Sequence, residues 1–307
     1  MPALKAILAQ FKPYVRWLVL GGSLLFIIQT LSAHWREILV IDLNAADWAC
    51  LVMALGITLA AHIWSGWVWS WIVQACGYGV GGIWATQTYL KTNIAKYLPG
   101  NVWHFYGRVR AVQSAGATLE TALISVLLEP LLMAAAALIL ALFGSRQVIL
   151  QLALLITVLI GLHPCLLNPA LRSLGQLRAE TPEPLVAQLS HYPGRSLLGE
   201  IGFVGLRGRG FVGVVLALQP LTWEQLPGLI SGFSWAWLLG LVVPGAPGGL
   251  GIFEATAIAL LSKTLPPAVI LSSVALYRVV STLAEVMGAA LAWLDQRWNV
   301  KFQPPDR

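Results

Sequence analysis

Apolar residues run nearly unbroken through six stretches, 17–33, 48–73, 119–143, 148–167, 198–218 and 268–294, and polar residues gather between them. A hydrocarbon core of about 30 Å is crossed by roughly 20 helical residues, so the pattern predicts six transmembrane helices. Strand-like alternation of apolar and polar positions is missing from these stretches, which argues against a β-barrel.

Two further regions, 83–113 and 228–263, are too apolar for simple loops, yet each is broken near its centre by Pro-Gly, at Pro99-Gly100 and Pro244-Gly245. Proline removes an amide donor and glycine permits a reversal, so a helix entering the bilayer stops there. Segments 231–243 and 249–262 reach about half to two-thirds of the way across at 1.5 Å per residue. Each region therefore reads as a re-entrant helical hairpin, the first entering from the cytoplasm and the second from outside. The expected fold is an all-α integral membrane protein, one polytopic domain over 1–307, with six transmembrane helices plus two re-entrant hairpins. Residues 48–143, with hairpin 83–113, and residues 198–294, with hairpin 228–263, form an inverted repeat, a transporter architecture whose site lies between the repeats.

Composition supports the membrane reading: 58% of the 307 residues are hydrophobic and 10% charged, with a mean hydropathy of +0.76. A water-soluble core cannot hide that much apolar surface. The net charge of +6 comes without a basic run or an aromatic-basic module, so it points to topology and lipid headgroups and not to nucleic acid. Lys5, Lys12 and Arg16 place the N-terminus in the cytoplasm, Lys91, Lys96, Arg108 and Arg110 fall on the same side, and Arg297, Lys301 and Arg307 return the C-terminus there. The site after 17–33 is a poor cleavage match, so an uncleaved first span in the cytoplasmic membrane is expected. Cys50, Cys76 and Cys165 are an odd, widely spaced set, which indicates neither a disulfide framework nor a metal site. The histidines show no metal spacing, and no cofactor is expected; the fourteen tryptophans read as interfacial anchors.

Backbone exposed at a hairpin tip must face protein or a wet cavity. In "VPGAPGGLGIFEA" the glycines Gly245, Gly248, Gly249 and Gly251 leave amides accessible beside a helix start, an arrangement that suits phosphate or carboxylate; tight helix packing is the plainer explanation. Intramembrane charges cost roughly 2.5–3.5 kcal/mol each unless paired or wetted. Glu129, Arg207, Arg209, Arg278 and Glu285 therefore face inward. With Arg108, three of them, Arg207, Arg209 and Arg278, offer planar forks for a headgroup phosphate. The same residues also suit purely structural pairs, Arg278 with Glu254 or Glu285 and Arg207 with Glu200 or Glu129. Asn101 and His104, beside the first Pro-Gly, complete the candidate site, His104 as a possible proton-coupled group.

"KYLPGNVWHFYGRV", then "VPGAPGGLGIFEA" and "ALYRVV", resemble the flippase-like transmembrane domain of lysyl-phosphatidylglycerol synthases and the stand-alone membrane proteins that share it. The resemblance covers roughly 48–294. It implies movement of an anionic or modified lipid across the cytoplasmic membrane and carries Pro99, Gly100, Arg108, Pro244, Gly245, Gly248, Gly249, Gly251, Glu254, Tyr277 and Arg278 as matched positions. The synthases have a soluble aminoacyl transferase domain for which this chain leaves no room, so aminoacylation is not expected. The leading expectation is a non-enzymatic lipid translocase acting on a phospholipid or lipid-linked headgroup. The alternatives are an accessory subunit presenting lipid to a separate glycosyltransferase or polymer synthase, and an integral membrane lipid-modifying transferase. A homo-oligomer is compatible with each.

Overall fold

The computed structural model describes residues 43–98, 102–144, 148–169, 189, 191–243 and 251–301, with side chains to 297. The predicted span 17–33 and the residues Pro99, Gly100, Asn101, Pro244, Gly245, Gly248 and Gly249 lie outside them. The described residues are helical, with no strand.

Helix α1, Ala45–Ala75, starts where the Asn44 side chain accepts from the amides of Ala46 and Asp47, while Asp47 accepts from the Asn44 amide at 2.9 Å. This capping box satisfies amides that the helix leaves free and puts an acidic side chain at its positive end. Its buried residues, among them Leu51, Ala54, Thr58, Ala61, His62, Ser65, Val68, Trp69 and Ile72, follow the three-to-four spacing of one helical stripe. Gly77, at φ 91°, turns the chain out of the helix.

Helix α2, Gly82–Asn93, continues into a 3-10 turn, Ile94–Tyr97, and helix α3, Trp103–Ser114, follows the Pro-Gly segment. Twelve residues make about 18 Å of helix, too short to cross a bilayer. The two helices pack on each other. A Cβ on Gly66 of α1 would sit 2.8 Å from the Thr86 Cα of α2, so only glycine permits this approach.

Helix α4, Leu119–Ala141, is capped by Thr118, carries Pro130 within it, and runs into a 3-10 turn, Leu142–Gly144. Helix α5, Val148–Gly161, is shorter than the predicted span 148–167, because the chain breaks before Pro164, which has no amide to continue the helix. A new helical turn at 164–169 starts with the Cys165 amide donating to His163 Nδ1 at 3.3 Å. Only Gln151 and Leu155 of α5 are buried, so it lines the outside of the bundle.

Helix α6, Gly194–Leu216, buries Ser196, Gly199, Glu200, Phe203, Val204, Arg207, Gly208, Phe211, Val214 and Val215, a continuous stripe packed mainly on α1 and α4. Helix α7, Leu226–Val242, is preceded by a 3-10 turn, Trp223–Gln225, held by a Thr222–Gln225 capping box. With that turn the element is 20 residues long, whereas the sequence reading gave the second hairpin a first arm too short to cross alone. Helix α8, Ile252–Leu261, packs back on α7, and α9, Pro267–Lys301, closes the bundle.

Among the described residues, four segments are long and apolar enough to cross a membrane: Ala45–Ala75, Leu119–Gly144, Trp223–Val242 and Pro267–Arg297. The architecture is that of an all-helical, multi-pass membrane protein. The core has two centres. One joins α1, α4 and α6 around Trp69, Leu128, Leu132 and Val204. The other is a knot of rings, one from each of α6 to α9: Phe211, Phe233, Phe253 and Tyr277, with centroids 5.4–6.3 Å apart. Such offset and edge-on contacts are worth about 0.5–1.5 kcal/mol per pair beyond the area they bury.

Candidate functional site

Among the described residues, most charged side chains inside the bundle fall into three groups. The first is built on Arg108 of α3, 1% exposed. Its guanidinium donates to Glu129 of α4, and more loosely to Thr92 Oγ1 and Asn93 Oδ1 of α2, each at 3.4 Å. It lies 3.8 Å from the centre of the Tyr89 ring and 5.9 Å from that of Trp69. Ser65 of α1 in turn donates to the Tyr89 hydroxyl at 2.9 Å. The arginine thus ties α1 to α4 together through bonds and ring contacts that engage each of its three nitrogens.

The second group surrounds Glu285 of α9, whose side chain is 1% exposed. Its Oε1 accepts from Lys96 Nζ, on the 3-10 turn after α2, at 2.6 Å, and from Ser281 Oγ at 3.4 Å. Arg207 Nη1 of α6 lies 3.8 Å from the same oxygen and His62 Nε2 of α1 3.3 Å from it. Arg207 Nη1 also lies 2.8 Å from His62 Nε2 and 2.9 Å from Ser281 Oγ. A guanidinium has only donors, so Nε2 accepts from Arg207 and the neutral ring carries its proton on Nδ1. The Tyr277 hydroxyl donates to the Arg207 carbonyl at 3.2 Å, and its ring lies under the guanidinium at 5.3 Å.

This centre holds two cations, Lys96 and Arg207, against one carboxylate. It also keeps polar capacity in reserve: Arg207 Nε, His62 Nδ1 and Glu285 Oε2 are buried without a partner. Lys96 is its outward edge, with a side chain 21% exposed. A buried excess of positive charge with unused donors and a partly open rim is suited to a phosphate or another anion.

The third group is Arg278 of α9 with Glu254 of α8, Nε to Oε1 at 2.9 Å, the guanidinium 5.1 Å from the Phe253 ring centre. Glu254 belongs to the first turn of α8, after Gly251 at φ 81°.

The proposed site residues therefore divide. Arg207 and Arg278 stand in centres that join separate helices, and Arg108 is wholly enclosed by protein. His104, buried on α3 one turn before Arg108, packs on Phe105, has no partner at Nδ1 and lies in the field of Arg108, Lys96 and Glu285. Arg209 is exposed, off the buried stripe of α6, and corrects the expectation that it faces inward. Of the suggested pairs, Arg278 with Glu254 forms; Arg207 reaches Glu285 in place of Glu200 or Glu129, because Glu129 is taken by Arg108.

Sequence reasoning missed His62 and Lys96 as members of the Glu285 centre. His62 has no local motif, and Lys96 reads in one dimension as a topological charge. The available signal was that Lys96 lies within the first Pro-Gly motif. Among the described residues no group of His, Cys, Asp and Glu is placed to hold a metal ion. Comparison of the chain with protein-family models finds no match, and comparison with curated proteins finds none.

Proposed function

We propose that the protein is a lipid translocase that moves an anionic or modified phospholipid, or a lipid-linked headgroup, across the cytoplasmic membrane without covalent chemistry. One observation carries the reading: the Glu285 centre combines excess positive charge, unused buried donors and a partly exposed lysine at the junction of α1, α6, α9 and the turn after α2. In this reading the headgroup phosphate meets Lys96 first and then Arg207, while the acyl chains stay in lipid. Arg278 and His104 border the path, and Arg108 holds the helices behind it. The finer architecture belongs to the same proposal: α2 with α3 and α7 with α8 are the arms of two re-entrant hairpins in an inverted repeat, six helices cross the bilayer, and both termini are cytoplasmic. The resemblance to flippase-like transmembrane domains agrees with it.

The test is translocation in vesicles containing the purified chain, run with anionic, zwitterionic and polyprenyl-phosphate lipids. Lys96→Met and Arg207→Gln are expected to slow the transported class at least tenfold, and Arg209→Gln to leave it unchanged. Equal rates in all four proteins would remove the site, and no transport of any lipid by folded protein would remove the function.

A further inference from the structure

Glu200 of α6 is in none of the three groups. It lies on the buried stripe two turns before Arg207, with no accessible surface, and neither carboxyl oxygen has a hydrogen-bond partner. Glu129 and Arg108 are the charges that act on it. Arg108 already donates to Glu129 and not to Glu200, so the one cation in its field is engaged by another carboxylate.

The elements around α6 offer nothing else to neutralise it. From α4 comes Glu129, from α3 Arg108, and from α2 the Tyr89 phenol, which accepts from Ser65. The imidazole of α1, His62, is engaged by Arg207, and α7 carries no titratable side chain over Leu226–Val242. From α9, Glu285 and Arg278 belong to the other two centres. A bare carboxylate in a dry interior is penalised by many kcal/mol. Two carboxyls close enough to repel share a proton instead of ionising together. A metal ion would need a shell of ligands that the described residues do not supply there.

We propose that Glu200 and Glu129 form a proton-binding site organised by Arg108, in which one carboxyl is ion-paired and the other carries a single proton. In the arrangement seen, Glu129 is paired and Glu200 holds the proton. If Arg108 turns to Glu200, the proton leaves Glu200 and Glu129 takes one up, so the charge of the site stays constant. The existence of this proton is independent of the lipid reading; its coupling to lipid movement rests on that reading.

Infrared difference spectroscopy of the purified full chain, in water and in heavy water, reads the proton directly. The expected result is a protonated-carboxyl band at neutral pH that shifts in heavy water, vanishes in Glu200→Gln and survives in Glu224→Gln, Glu224 being exposed. No such band in the wild-type protein, or a band indifferent to Glu200→Gln, overturns the proposal. So does a band that appears in choline buffer and is abolished by sodium, since the ligand is then a cation. In transporting vesicles a pH gradient should change the wild-type rate and leave Glu200→Gln unaffected. A gradient without effect, where the band is present, overturns the coupling alone.

Discussion

The Arg108 and Arg207 centres use the same side chain for opposite ends. Arg108 is covered by rings, paired with its own carboxylate and shielded from every exterior. Arg207 shares a single carboxylate with a lysine, keeps an unpartnered Nε and lies behind a partly exposed rim. A fully satisfied arginine holds helices in place and has little left to give a ligand. One that is under-satisfied is poised to bind, at some expense in stability. Intramembrane charge alone therefore does not mark a site; the balance of charge and hydrogen bonds does.

The sharpest way to break this comparison is Glu129→Ala combined with Glu200→Gln, which leaves Arg108 in the interior with no carboxylate to turn to. It should destabilise the protein by about 3–5 kcal/mol, seen as a lower melting temperature in detergent and poor recovery from the membrane. A stable double variant would mean that the Arg108 centre is not structural. Close contact comes next. Gly66→Leu forces a side chain into the Thr86 backbone and should cost about 1–3 kcal/mol by the same thermal measurement, or more if α2 is displaced. The Arg207 centre should respond differently. In Lys96→Met the melting temperature should change little, by about 1 kcal/mol or less, because a partly exposed pair is lost. The stabilisation that anionic lipid gives the wild-type protein should disappear, since a ligand stabilises only the state it binds. Lipid stabilisation that persists in Lys96→Met would place the anion elsewhere. Smallest of all, Arg209→Ala should stay within about 0.5 kcal/mol of wild type; a larger drop would put that side chain in contact with something.

What was legible in the sequence follows the range of the forces involved. The stripe on α1 and the start of α4 are set by the 3.6-residue period and by caps a few residues away, so 48–73 falls inside α1 and 119–143 inside α4 with its closing 3-10 turn. Local chemistry misled at two places. The apolar run 148–167 hides the break that Pro164 makes, and the start of α7 depends on a capping box at Thr222 outside the window considered for the hairpin. The charge pairings were the least legible. Glu285 meets Lys96 and Arg207 across separations of 189 and 78 residues, and only tertiary packing decides which of several carboxylates reaches which arginine. Arg207 and Arg209, two positions apart, look alike in the sequence, yet helix geometry turns two positions by about 200° and sends one inward and one out.

Helix α1 also acts as a ruler. About 34 Å of axis separates Trp48, 58% exposed near its start, from Trp71 near its end. Trp71 is stacked under Arg195, 4.2 Å from the ring centre. Indole rings settle at the headgroup level on either side of a hydrocarbon layer about 30 Å deep. Thinner bilayers would have to tilt the helix or stretch around it, and thicker ones would drag Arg195 into oil. With both rings at headgroup level, the spacing of these two tryptophans would set the lipid chain length that the helix fits.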